Sequence, residues 1–96
     1  MQPADLLHEK RTDILRIAAV HGARDVRVFG SWARDAVRPD SDVDLLVRLD
    51  AGRSLLDLIA IKQDLEDLLG LPVDVVTEAG ISPYLREQIL GEAVAL

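Results

Sequence analysis

The chain contains no cysteine. Disulfides, cysteine-ligated zinc and thiol nucleophiles are thereby excluded, and the composition suits a reducing, cytoplasmic setting. Aromatic residues are almost as scarce: Phe29, Trp32 and Tyr84 make up the whole 3%, so aliphatic packing has to carry the core. No apolar run reaches the ~20 residues needed to span a bilayer, and no secretory-signal pattern opens the sequence, so no membrane association is expected. An excess of basic charge is also missing. With 11 Lys and Arg against 17 Asp and Glu the net charge is −6. Stable nucleic-acid binding is not expected of such a chain, because phosphate neutralisation supplies most of that affinity. The acidity still admits a free nucleotide carried with a divalent cation, and it suits a basic protein partner, in a homo- or hetero-oligomer.

What is present is enough for one core. The sequence has 96 residues, of which 49% are hydrophobic, and we read 1–96 as a single domain. Residues 4–20 have the spacing of an amphipathic helix, with Leu7, Ile14, Leu15 and Ala18 on one side and Gly22 as its stop. Arg24 to Phe29 alternates as a strand does. Gly30 breaks it, and Ser31 is placed to cap a short helix reaching about Ala36. Pro39 and Asp40 mark a turn. Val43 to Leu49 is the clearest strand, with Val43, Leu45, Val47 and Leu49 on one face and Asp42, Asp44, Leu46 and Arg48 on the other.

After a loop over 50–53, Ser54 and Asp57 form a capping box. A helix then runs to Leu69, with Leu55, Leu58, Ile59, Leu65, Leu68 and Leu69 expected on its buried face. Gly70 stops it. Leu71 to Val76 reads as a third strand, apolar apart from Asp74. Ser82 and Pro83 open a last helix to about Leu90, in which Leu85, Ile89 and Leu90 are expected in the core. Ala93 to Leu96 reads as an edge strand. Helices and strands in this order predict an α/β (α+β) fold: a small mixed sheet with helices packed on it.

Three fragments carry chemistry. Asp42 and Asp44 lie two apart on a strand, so their carboxylates share a face roughly 6.5–7 Å apart at the backbone. Such a pair converges on hard cations, and magnesium commonly takes one or two carboxylates plus substrate phosphates. An isolated Asp-x-Asp is equally what a solvated strand face looks like, but the apolar run Leu45-Leu46-Val47 makes this strand central. Gly30-Ser31 turns a strand toward a helix and aims backbone N–H groups at whatever sits there, a ready anion site. Arg34 is near enough to pair with the same anion; an ordinary cap and a surface arginine would look the same. Asp74 interrupts an apolar strand and needs solvent, a partner or a metal. Beside the Asp42 strand it completes a carboxylate triad.

Gly30-Ser31-x-x-Arg34, then Ser41-Asp42-x-Asp44-Leu45-Leu46-Val47, then Asp74 on a later strand, resembles the nucleotidyltransferase signature of the DNA polymerase β superfamily. Six such positions coincide by chance at roughly 10⁻⁷ per starting point, so the combination is specific although each part is common. The short chain is similar to the minimal nucleotidyltransferase (MNT) branch. The resemblance implies a polymerase β palm-like fold and transfer of a nucleoside monophosphate, AMP from ATP, to a hydroxyl. It implies two magnesium ions on Asp42 and Asp44. Asp74 is implied to hold the catalytic metal and help accept the attacking hydroxyl's proton. Gly30 and Ser31 are implied to bind the β- and γ-phosphates, with Arg34 and Ser41 completing the nucleotide site.

Larger relatives carry a second domain that grips the acceptor, for which 96 residues leave no room. MNT proteins resemble antitoxins paired with HEPN-family ribonuclease toxins, which implies a toxin tyrosine as acceptor. The competing expectation is an antitoxin that neutralises by stoichiometric binding, its site silent. Asp35 departs from the family pattern, which often has glycine there. Trp32 is expected to pack over the small helix, His8 to face solvent and His21 to cap its helix.

Overall fold

The computed structural model describes residues 3–34, 36–38 and 41–96. Its elements are α1 (Pro3–Glu9), α2 (Arg11–Val20), β1 (Ala23–Phe29), a 3₁₀ turn (Gly30–Trp32), β2 (Val43–Leu49), α3 (Leu55–Leu69), β3 (Val73–Thr77), a second 3₁₀ turn (Glu78–Gly80), α4 (Pro83–Glu92) and β4 (Val94–Ala95). The strands form one four-stranded mixed sheet in the order β3-β2-β1-β4, as the sequence led us to expect. β2 is central. It runs antiparallel to β1 and parallel to β3, with α3 as the crossover that a parallel pair requires. No helix among the described residues is long and apolar enough to cross a membrane.

α2 packs against β1 and α3 against β3, and the main core lies between this helical layer and the sheet. Ile14 and Ala18 of α2 and Ile61 and Leu65 of α3 meet Val26 and Val28 of β1, Val43, Leu45 and Val47 of β2, and Val73 of β3. Trp32 joins the same cluster, as expected; its indole N–H is buried with no hydrogen-bond partner among the described residues. His21 ends α2 and its Nε2 lies 2.9 Å from Asp64 on α3, tying the two helices together.

Several details differ from the sequence reading. The helix expected over 4–20 is two helices, because Lys10 sits at φ −93°, ψ 4°. Leu7 of α1 and Ile14 of α2 both reach the core. β1 contains a bulge: Arg24 pairs with Arg48 but Arg27 with Leu46, and Asp25 has φ +53°. The extra residue puts Ala23 and Val26 among the buried core residues, which strict alternation forbids.

In α3 the capping box of Ser54 and Asp57 is present and Gly70, at φ 69°, caps the C-terminus. The buried stripe, however, runs through Leu58, Ile61, Leu65 and Leu68. Leu55 and Ile59, expected inside, are 69% and 42% exposed. Four aliphatic residues crowd the first five positions, and one helix face cannot take them all.

α4 runs two residues past the expected end, and Ser82 makes no side-chain cap bond to it. The helix buries none of its residues: Leu85 is exposed, and Ile89 and Leu90 are half-buried. The core role expected of it is therefore not filled; Leu46 and Ile81 are buried outside the main cluster. The edge strand expected from Ala93 to Leu96 shortens to Val94–Ala95, paired with β1. The turn placed at Pro39 and Asp40, and the departure at Asp35, lie outside the described residues.

Candidate active site

The candidate residues converge at one end of β2. Asp44 pairs in register with Phe29 of β1 on one side and Asp74 of β3 on the other. Gly30, next after Phe29, therefore falls beside Asp44. Its φ is +72°, a conformation that favours glycine. A Cβ built on Gly30 would overlap Asp44 Oδ2. The turn and the acid strand are thus packed on one another, and glycine is the residue that permits it.

The short helix expected from Ser31 contracts to a 3₁₀ turn. Phe29 is its extended entry residue, so Ser31 lies inside the turn and is not its N-cap. Ala33 and Arg34 donate their backbone N–H groups to Gly30 O at 3.1 Å, and Ala36 donates to Ser31 O at 2.9 Å. Ser41 is engaged in its own loop: its hydroxyl accepts the Arg38 N–H at 2.8 Å.

The three aspartates differ in environment. Asp42 and Asp74 are exposed, and Asp44 is half-buried. Asp44 is pushed up from 3.8 to about 6, first by burial of its carboxyl, then by Asp74 and next by Asp42. Arg34 opposes the shift and Glu92 adds to it. The acids are close enough to repel one another. Among the described residues, no group of three or more His, Cys, Asp or Glu side chains is gathered tightly enough to hold a metal ion. The donors are nonetheless all oxygen and mutually repelling. That suits a hard divalent cation which takes one or two carboxylates and completes its shell with phosphate and water.

Two further contacts were not anticipated from the sequence. The Glu66 carboxylate on α3 accepts the Val73 N–H at 3.0 Å, and Lys62 Nζ donates to Val73 O at 2.8 Å and to Glu66 Oε2 at 3.0 Å. These bonds pin the start of β3, one residue before Asp74. Glu92, at the end of α4, accepts the Gly30 N–H at 2.9 Å and Arg34 Nη1 at 3.2 and 3.1 Å. The β4–β1 register, which pairs Arg27 with Ala95 and Val28 with Val94, places Glu92 opposite Gly30 when continued two residues. That register was the signal available, and it required knowing which strand β4 joins.

Compared with known proteins, residues 12–96 match the model of the family described as the nucleotidyltransferase domain. The chain belongs to the nucleotidyltransferase family. It is an enzyme of that class, and the resemblance drawn from Gly30-Ser31 and Asp42-x-Asp44 holds. A Methanocaldococcus jannaschii protein assigned by inference as a protein adenylyltransferase is 43% identical over 88 residues, covering 92% of this chain and 95% of its own. The protein adenylyltransferase MntA of Thermococcus cleftensis is 41% identical over 73 residues, 76% of this chain and 74% of its own.

Among solved structures, one described as a candidate minimal nucleotidyltransferase superposes with a TM-score of 0.87 at 52% identity, covering 97% of this nucleotidyltransferase and 95% of that chain. A chain from a toxin–antitoxin structure with AMP-PNP shares the fold, at a TM-score of 0.75 and 20% identity over 88% of this chain and 69% of its own.

Proposed function

We propose that this nucleotidyltransferase, one minimal catalytic domain over 1–96, transfers AMP from ATP to a protein hydroxyl. The acceptor is a tyrosine of a HEPN-family ribonuclease, and the transfer makes the chain its antitoxin in the cytoplasm. The observation that carries the reading is the packing of Gly30 against Asp44 opposite Asp74: a phosphate-binding turn and a carboxylate cluster share one end of the sheet. The protein adenylyltransferase names of the sequence relatives support AMP as the group transferred, and the toxin–antitoxin fold neighbours support a toxin as partner.

Asp42, Asp44 and Asp74 would hold two magnesium ions. Bound there, magnesium supplies Lewis acidity and neutralises charge on the transferring phosphate. The Gly30-Ser31 turn and Arg34 bind the β- and γ-phosphates and fix the nucleotide for in-line attack. The acceptor oxygen forms a bond to the α-phosphorus, the bond from that phosphorus to the bridging oxygen breaks, and pyrophosphate leaves. Asp74 takes the hydroxyl proton. With one protein positioning both reactants, the gain comes from orientation and electrostatics.

Incubation with the proposed HEPN-family acceptor and magnesium, using ATP labelled on either the α- or the γ-phosphate, tests the reaction. Label from the α-position alone should appear on the toxin, on tyrosine. Transfer of the γ-label, or no transfer at all, contradicts it.

One observation favours a stoichiometric antitoxin instead: Glu92 already bonds Gly30 and Arg34. Under that reading, cells remain protected when Asp42 and Asp44 are both changed to Asn. Under the catalytic reading, protection is lost although the complex still forms.

A further inference from the structure

Two of the donors assigned above to the triphosphate, the Gly30 N–H and Arg34 Nη1, are already bonded to an anion of the chain itself. Glu92 accepts one hydrogen bond from the Gly30 N–H and two contacts from Arg34 Nη1. A carboxylate on a backbone N–H and a guanidinium has the charge and acceptor geometry of a phosphate edge. Its side chain is 19% exposed, against 52% for Arg34, so the acid is the more enclosed partner. The chain that follows it is tied down as well: Ala93 N–H donates to Ile89 O, and Leu96 N–H to Val26 O of β1.

Glu92 also adds to the negative field at Asp44. A triphosphate entering with Glu92 in place would meet that field and find the Gly30 N–H and Arg34 Nη1 occupied. The two anions compete for one set of donors.

We propose that Glu92 is an internal stand-in for phosphate: it holds the Gly30 turn and Arg34 in shape before nucleotide arrives, and a triphosphate binds by displacing it. Glu92 thus sets nucleotide affinity as a positioning residue, through Arg34 and Gly30, without touching the reacting atoms. The inference rests on the nucleotide reading of the preceding subsection. It makes a prediction that reading does not: removing an acid from the site edge should tighten binding, and should do so through Arg34.

The test is calorimetric titration of the full chain with magnesium and AMP-PNP, which reads binding without turnover. Glu92→Gln keeps an acceptor for the Gly30 N–H and removes the charge. It should bind about two- to fivefold more tightly than wild type, the scale of a partly exposed charge pair. Glu87→Gln, which removes the same charge from an exposed position on the same helix, should leave affinity unchanged. Arg34→Ala should cost more affinity in the Glu92→Gln background than in wild type, because only there is Arg34 free beforehand.

Equal or weaker binding by Glu92→Gln overturns the inference, as does an Arg34→Ala cost that is the same in both backgrounds. Tightening by Glu87→Gln to the same extent overturns it too, since bulk charge would then suffice. If neither wild type nor Glu92→Gln binds, the nucleotide reading falls and this inference with it. Binding with equal constants removes the inference alone.

Discussion

Asp44 and Asp74 stand opposite each other across the parallel β2–β3 pair, and burial together with that neighbour lifts the Asp44 carboxyl to about 6. The Asp44 carboxyl therefore holds more of its proton in the folded, metal-free protein than in the unfolded chain between pH 3.8 and about 6. Its contribution to stability falls as pH rises through that window and levels off above it. Asp44→Asn should remove this component and raise metal-free stability at pH 7 by about 1–2 kcal/mol, a figure already reduced for solvent screening at a half-buried site. Denaturant melts of both proteins from pH 4 to 7 without divalent ions check this. Parallel profiles would contradict it.

Gly30 is fixed by two independent constraints, its φ of +72° and the Asp44 carboxylate where a Cβ would lie. Gly30→Ala should cost about 1–3 kcal/mol of stability and most of the transferase activity, because the turn or Asp44 has to move. Urea unfolding and label transfer on the same preparation check both. A fully active, equally stable Gly30→Ala variant would show that the turn is not needed where it is.

Glu66 and Lys62 act at a distance from the chemistry. Their bonds to Val73 fix the strand that carries Asp74. Glu66→Ala should lower turnover several-fold with little change in nucleotide affinity, and Glu66→Gln should restore most of it, since its amide oxygen still accepts the Val73 N–H. Steady-state kinetics with a kcat and KM comparison separates this from a binding defect. Equal loss in both variants would contradict the positioning role.

The contrast between Ile61 and Ile59 shows how far the sequence could be read. Strand β2 was legible because its alternation and its acids coincide, and the Gly30 turn because glycine and serine follow a clean strand. The buried stripe of α3 was not, because Leu55, Leu56, Leu58 and Ile59 give several helical faces equal hydrophobicity and only the packed sheet chooses among them. Glu92 was invisible for a related reason: it is 62 residues from Gly30 in the chain, and only the β4–β1 register joins them. The bulge at Asp25 likewise depends on a partner strand. Ile61→Ala should cost about 2–5 kcal/mol as a core truncation, while Ile59→Ala should stay within about 0.5 kcal/mol of wild type. Chemical denaturation measures both, and similar values for the two would place the stripe elsewhere.

The central claim is that the acids at the start of β2 perform nucleotidyl transfer. Its most direct test is transfer of α-labelled AMP to the proposed toxin acceptor by wild type and by the Asp42→Asn, Asp44→Asn double variant, at saturating ATP and magnesium and with complex formation verified. The account predicts that the double variant, still folded and still bound to the toxin, loses at least ~1,000-fold in rate. Undiminished transfer by that variant would contradict it.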